Sequence, residues 1–194
     1  MVSKTDTAMT GKDGQNVPEN IKVIFLVRHA KASLKDGSDD FSRPLCPKGR
    51  KQAEGVRDAI AQFQTEPQIV FCSPSVRTSE TLDILLPALP VQTEVTFEEF
   101  LYLASDAQML ELLKSIGEET NRVMIIAHNP GLENLILALA NANKSDNKSY
   151  KQVKEKFSPG AVAVMLFNGK WAELAKNSAE LALAFRPKDV LGDE

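Results

Sequence analysis

KVIFLVRHA (22–30) and RVMIIAHNPG (122–131) share one pattern: a continuous apolar run, rich in β-branched residues and too short for a helix, that ends at a histidine. Such runs read as strands covered on both faces in a parallel sheet. QIVFC (68–72) is a third run of the kind, and AVAVMLF (161–167) a fourth that joins them. Between them lie longer amphipathic stretches at 48–63, 75–86, 106–116 and 131–140, the first with Ala53, Val56, Ala59, Ile60 and Phe63 on one face. Alternating strands and helices predict an α/β three-layer sandwich, a mostly parallel central sheet with helices on both faces. Asn168-Gly169 after the fourth run is a two-residue hairpin signal, which predicts that Trp171 lies on an antiparallel edge strand. Pro47 suits the first turn of the first helix, and Ser105 with Gln108 forms a capping-box pattern for the third.

Composition bounds the function. The chain has 194 residues, 43% of them hydrophobic and 25% charged, which is the balance of one domain with a real core. A net charge of -3 argues against a general nucleic-acid binder, which needs a basic face to neutralise phosphates. Residues 1–20 mix Gly, Asn, Asp, Lys and Thr without periodicity and read as a disordered tail, leaving 21–194 as a single domain. They hold no signal-peptide apolar core, and no run reaches the about 20 apolar residues that span a bilayer, so a cytoplasmic location without a membrane partner is expected. Cys46 and Cys72 have neither metal-site nor disulfide-framework spacing, and no metal or other cofactor is expected. Lys144 to Lys156 is locally basic, with five lysines against Asp146 and Glu155, and reads as a solvated loop or helix.

The chemistry gathers at strand ends. The chain has only two histidines, His29 and His128, and each follows a buried strand. In open α/β sheets ligands bind outside the carboxyl ends of the strands, so the two histidines are placed to share a site. After QIVFC comes SPSVRT (73–78), in which Ser73 or Ser75 can cap a helix and Pro74 can occupy its first turn. Helical side chains lean toward the N-terminus, which brings Arg77 back to the strand ends, where free N–H groups already favour an anion. Two guanidiniums, Arg28 and Arg77, with an imidazole suit a phosphoryl group, whose transfer is mostly positioning and charge neutralisation. Neutral histidine is a competent nucleophile for such a transfer. Glu98 and Glu99 stand before the third helix, and either is placed to act as general acid.

On LVRHAKA (26–32), DFSRPLCPKGRKQA (40–53), CSPSVRTSET (72–81), EFLYLAS (99–105), AHNPGL (127–132) and FSPGAVAVMLF (157–167), the chain resembles the histidine phosphatase, or phosphoglycerate mutase-like, superfamily, and within it the SixA-type phosphohistidine phosphatases. The resemblance implies that His29 becomes phosphorylated, that Arg28, Arg77, His128 and Asn129 bind the phosphate, and that no metal is needed. In mutase-like relatives the acid lies three residues before a tyrosine; Glu99 stands three before Tyr102, which favours it over Glu98. Ala30 and Ala127 occupy places where the superfamily commonly has glycine.

The stretches between Glu99 and His128, and between His29 and Pro47, are too short for a lid domain, so an open site suited to a phosphorylated protein side chain, phosphohistidine above all, is expected. A small phosphorylated metabolite is the alternative substrate. A cysteine-dependent phosphatase is disfavoured because four residues, not five, separate Cys72 from Arg77. A phospho-ligand binding module without turnover, and a purely structural protein, are the other readings.

Overall fold

The structure, a computed structural model, describes residues 21–34, 39–63 and 65–192; the tail expected over 1–20 lies outside them. Its centre is a six-stranded sheet in the order β3-β2-β4-β1-β5-β6. These are β1 (Ile21–Arg28), β2 (Ile69–Cys72), β3 (Glu94–Phe97), β4 (Arg122–Ala127), β5 (Val162–Asn168) and β6 (Glu180–Phe185). The neighbours β3, β2, β4 and β1 pair in parallel, whereas β5 runs antiparallel to both β1 and β6.

The continuous apolar runs are explained by burial on both faces. Val23, Phe25 and Val27 pack with Val56 and Ile60 of α1 (Pro47–Ile60) and with Leu82 and Leu85 of α2 (Val76–Leu85). Ile24 and Leu26, turned the other way by the two-residue period of a strand, pack with Met109 and Leu113 of α3 (Asp106–Lys114) and with Leu135, Ile136 and Leu139 of α4 (Gly131–Leu139). Each such side chain contributes roughly 1.5–3 kcal/mol of hydrophobic stabilisation. The expected three-layer α/β sandwich is therefore what forms, and the Ser105–Gln108 capping box begins α3.

Two local expectations are corrected. The Asn168-Gly169 signal does not make a hairpin: Trp171–Glu173 is a 3₁₀ turn, and the edge strand is β6, which pairs antiparallel with β5. The indole decides this. Fully buried, it donates Nε1–H to the Thr120 carbonyl at 2.7 Å, while the Trp171 amide reaches Glu118 Oε1 at 2.9 Å. Neither serine of SPSVRT caps α2 with its side chain: Ser75 Oγ is bonded to Thr78 Oγ1 and Ser73 Oγ to His128. The lysine-rich segment contains α5 (Asn147–Glu155), N-capped by Asp146, with Ser149, Gln152 and Val153 buried. The last helix is the short α6 (Pro187–Leu191). Among the described residues no helix is long and apolar enough to cross a membrane.

Candidate active site

The carboxyl ends of β2, β4 and β1 lie level with one another, because the register pairs Cys72 with Ile126 and Arg28 with Ala127. His29 and His128 are the next residues on adjacent strands, and the His29 amide donates to the Ala127 carbonyl at 3.2 Å. Their ring centroids are 5.2 Å apart. Gly131 fixes the turn after His128: a Cβ there would meet the Ala104 carbonyl oxygen at 2.0 Å, so α4 approaches that closely only with glycine.

Hydrogen bonds set the tautomers. His29 Nδ1 lies 2.7 Å from the Ala30 carbonyl oxygen, which only accepts, so Nδ1 carries the proton and Nε2 keeps its lone pair. At His128 the arrangement is reversed: Arg77 Nη2, which only donates, lies 3.4 Å from Nδ1, and Nε2–H donates to Ser73 Oγ at 2.8 Å. Burial keeps both rings neutral. It pushes His29 down to about 4, opposed by the Ala30 carbonyl and reinforced by Arg77, Arg28 and Arg43. His128 is pushed down to about 3, again mainly by burial, then by His29 and Arg77, with Asp40 acting the other way.

Arg77, in the first turn of α2, is only 4% exposed and sits 5.8 Å from the Tyr102 ring centre. Its principal partner was not foreseen. Nη1 donates to the Asp40 carbonyl at 2.5 Å and Nη2 to Asp40 Oδ2 at 3.0 Å. The same carboxylate accepts from Tyr102 Oη at 2.9 Å and from Arg43 Nη1 at 2.8 Å. With the Arg43 and Tyr102 bonds leading, the Asp40 carboxyl is held well below the usual carboxylate range. The Phe41 ring meets Tyr102 edge-on at 5.0 Å, and Tyr102 meets His128 edge-on at 5.5 Å, so residues 40–43 form one side of the site. The run DFSRP was visible in the sequence, but only the path of the loop gives it a chemical role.

Arg28 lies beside the pair, where its charge lowers the pKa of both histidines. Its Nη1 donates to the Phe157 carbonyl at 2.7 Å, and its Nε is buried with no hydrogen-bond partner among the described residues. Asn129 shares that acceptor: its Nδ2 reaches Phe157 O and Glu133 Oε2, each at 3.0 Å. The structure thus joins His29, His128 and Arg77 in one cluster and sets Arg28 with Asn129 on its flank. Glu99 is exposed, in the 3₁₀ turn Glu99–Leu101, and neither its side chain nor that of Glu98 hydrogen-bonds to another described residue. Tyr102, one turn later, is what that segment places against His128. Cys72 is fully buried, donates Sγ–H to the Ser73 carbonyl, and burial pushes its thiol up, so it is core rather than nucleophile.

Known proteins resemble this chain in sequence and in fold. Residues 24–109 match the model of the histidine phosphatase superfamily (branch 1). An uncharacterized protein of Mycobacterium tuberculosis is 26% identical over 155 residues, 80% of this chain and 96% of that protein. Among solved structures, one assigned as the phosphohistidine phosphatase SixA of Nakamurella multipartitia superposes with a TM-score of 0.74 at 24% identity, covering 86% of this chain and 96% of that one. A protein histidine phosphatase SixA complexed with tungstate superposes with a TM-score of 0.68 at 19% identity, over 86% of this chain and 98% of the other. These structural likenesses concern the fold.

Proposed function

We propose that the chain, whose residues 24–109 match the histidine phosphatase superfamily model, is a phosphatase of that superfamily working through a phosphohistidine intermediate on His29. The observation that carries the reading is the lone pair left on His29 Nε2 by the Nδ1–Ala30 bond, on a ring 5.2 Å from the neutral His128 ring to which Arg77 is bonded. In the first step Nε2 attacks phosphorus, the P–Nε2 bond forms as the bond to the leaving group breaks, and the departing atom takes a proton from Glu99. In the second, Glu99 takes a proton from water as its oxygen attacks phosphorus; the P–Nε2 bond breaks, freeing inorganic phosphate and neutral His29. Arg77 and Arg28 neutralise the phosphoryl oxygens, Asn129 supports that flank, and His128 lines the phosphate site and aims the Arg77 guanidinium by accepting from it at Nδ1. Two guanidiniums supply the charge that a metal would otherwise bring, so turnover is expected to survive chelation by EDTA.

The substrate favoured is a phosphorylated protein side chain, phosphohistidine foremost. Only α3 and β4 intervene between Glu99 and His128, and residues 40–43 line one side of the site at the carboxyl ends of the central strands. An imidazole leaving group also makes a modest demand on an exposed acid such as Glu99. The name of the tungstate-bound SixA relative points the same way. A cytoplasmic location fits such a substrate.

The test is to trap the protein with a phosphoryl donor, quench in alkali, where phosphohistidine survives, and map the adduct by mass spectrometry. Phosphate on His29 is expected; turnover with phosphate on Cys72, or with no adduct in the His29→Ala protein and undiminished rate, would reject the reading.

A further inference from the structure

Away from the histidines, α1, α6 and the C-terminal end of α5 enclose a groove of about 710 Å³. Its charged lining is one-sided. Lys48 and Lys51 from α1, Lys156 just after α5 and Lys188 from α6 are all exposed, and Glu155 is the one acidic residue among the lining groups. Arg186 also lines it but is tied to Asp189 at 3.2 Å. None of the four lysines forms an ion pair with another described residue. Three segments far apart in sequence therefore bring four uncommitted ammonium groups together on a chain whose net charge is -3. Like charges crowd together at a cost, and a cleft lined by one sign concentrates the field on an oppositely charged ligand.

The groove touches the active-site framework. Pro187, on its lining, lies against Gly160: a Cβ at Gly160, where φ is +77°, would meet Pro187 Cγ at 2.7 Å. The Gly160 amide donates to the carbonyls of His29 at 2.9 Å and Arg28 at 3.2 Å. Gln52, also on the lining, accepts from the Lys31 amide at 3.2 Å. One residue of backbone thus separates the groove from the strand end that carries His29.

We propose that this groove docks an acidic segment of the phosphorylated protein whose phosphoryl group enters the active site. The proposal rests on the protein-phosphatase reading above and adds the chemistry of the partner: carboxylate-rich chain flanking the phosphorylated residue, held by Lys48, Lys51, Lys156 and Lys188. Contacts of this kind steer encounter and weaken with salt.

The test combines binding and turnover in the full chain. A fluorescein-labelled, unphosphorylated Glu/Asp-rich peptide is titrated by fluorescence anisotropy at low and high salt, beside a neutral peptide of equal length and a single-stranded oligonucleotide of equal charge. The acidic peptide should bind at least tenfold more tightly than the neutral one and more tightly than the oligonucleotide. Lys48→Glu/Lys51→Glu/Lys188→Glu should lose that tenfold while p-nitrophenyl phosphate turnover stays unchanged. Lys48→Gln/Lys51→Gln, which preserves the surface, should lose part of it. Equal affinity in wild type and the Gln variant, or a preference for the oligonucleotide, overturns the docking site. Wild-type protein that binds the acidic peptide as described yet hydrolyses no p-nitrophenyl phosphate supports the groove and rejects the phosphatase reading instead.

Discussion

The two histidines of this site are held differently from Asp40 and from Glu99, the proposed acid. His29 and His128 are fixed by the register of β1 and β4, backbone to backbone; His128 is buried and His29 half-buried. Asp40 and Glu99 come from segments outside the sheet, Asp40 34% exposed along its side chain and gripped by three donors, Glu99 exposed and bonded to none of the described side chains. A strand end sets position with the precision of the sheet, whereas a loop sets it only through the side-chain bonds it makes. The proposed nucleophile belongs to the first kind, and the proposed proton donor and the charge-tuning carboxylate to the second. Substitutions at the strand ends should therefore be near total in effect, and those at the rim graded and dependent on the substrate.

The largest effect is expected at the nucleophile. His29→Ala should lower turnover of p-nitrophenyl phosphate by at least about 10³-fold, as loss of a covalent nucleophile does; a tenfold loss would mean the strand end is not where bond-making occurs. Arg77→Ala should cost about 10²-fold in kcat/KM, the scale of one lost transition-state donor. At the rim, Glu99→Gln should slow hydrolysis of an alkyl phosphate by about 10²-fold while leaving p-nitrophenyl phosphate, whose leaving group needs little proton assistance, nearly unchanged. Equal loss on both substrates would reduce Glu99 to a structural role.

The histidine pair also carries a pH signature. With His29 near 4 rather than the usual 6.5, kcat/KM should stay flat from neutrality down to about pH 4 and fall about tenfold per unit below that; a break near 6.5 would mean that the ring is hydrated. Both histidines are depressed on folding, so their contribution to stability is complete above pH 6.5 and is lost as the pH falls through about 4 and about 3. In His29→Asn the acid-induced drop in melting temperature should be shallower. The smallest effect is at Asp40. Asp40→Asn keeps an acceptor for Arg77 but removes the negative charge beside the anion site, so tungstate should bind a few-fold more tightly, on the order of 1 kcal/mol for a partly exposed charge. Weaker binding would show instead that the charge is needed to aim Arg77.

Several parts of the molecule were legible because one local signal sufficed. Continuous β-branched runs identify β1, β2 and β4, since little else buries such a run on both faces. The Ser105–Gln108 box marks the start of α3 by local hydrogen bonding alone. Other parts resisted for identifiable reasons. ELALAF (180–185) is built of helix formers and becomes β6 only because β5 offers a ladder. EVTF (94–97) is short and half-exposed, and its pairing with β2 makes it β3. Asn168-Gly169 fits a hairpin until burial of Trp171 bends the chain into a 3₁₀ turn.

At the site the division follows the same line. His29, His128, Arg28 and Arg77 are evident from sequence, because a residue that ends a buried parallel strand, or begins the helix after it, is placed by secondary structure itself. Asp40, Ser73 and the basic groove are not evident. Asp40 reaches Arg77 across 37 residues, Ser73 reaches His128 across 55, and the groove gathers lysines from three helical regions. Short-range periodicity and strand-end chemistry determine the sheet and the side chains that stand at its carboxyl ends. Which loop carboxylate meets which guanidinium, and which surface charges become neighbours, is decided only when the core has packed, because those contacts depend on the relative placement of elements that no local pattern encodes.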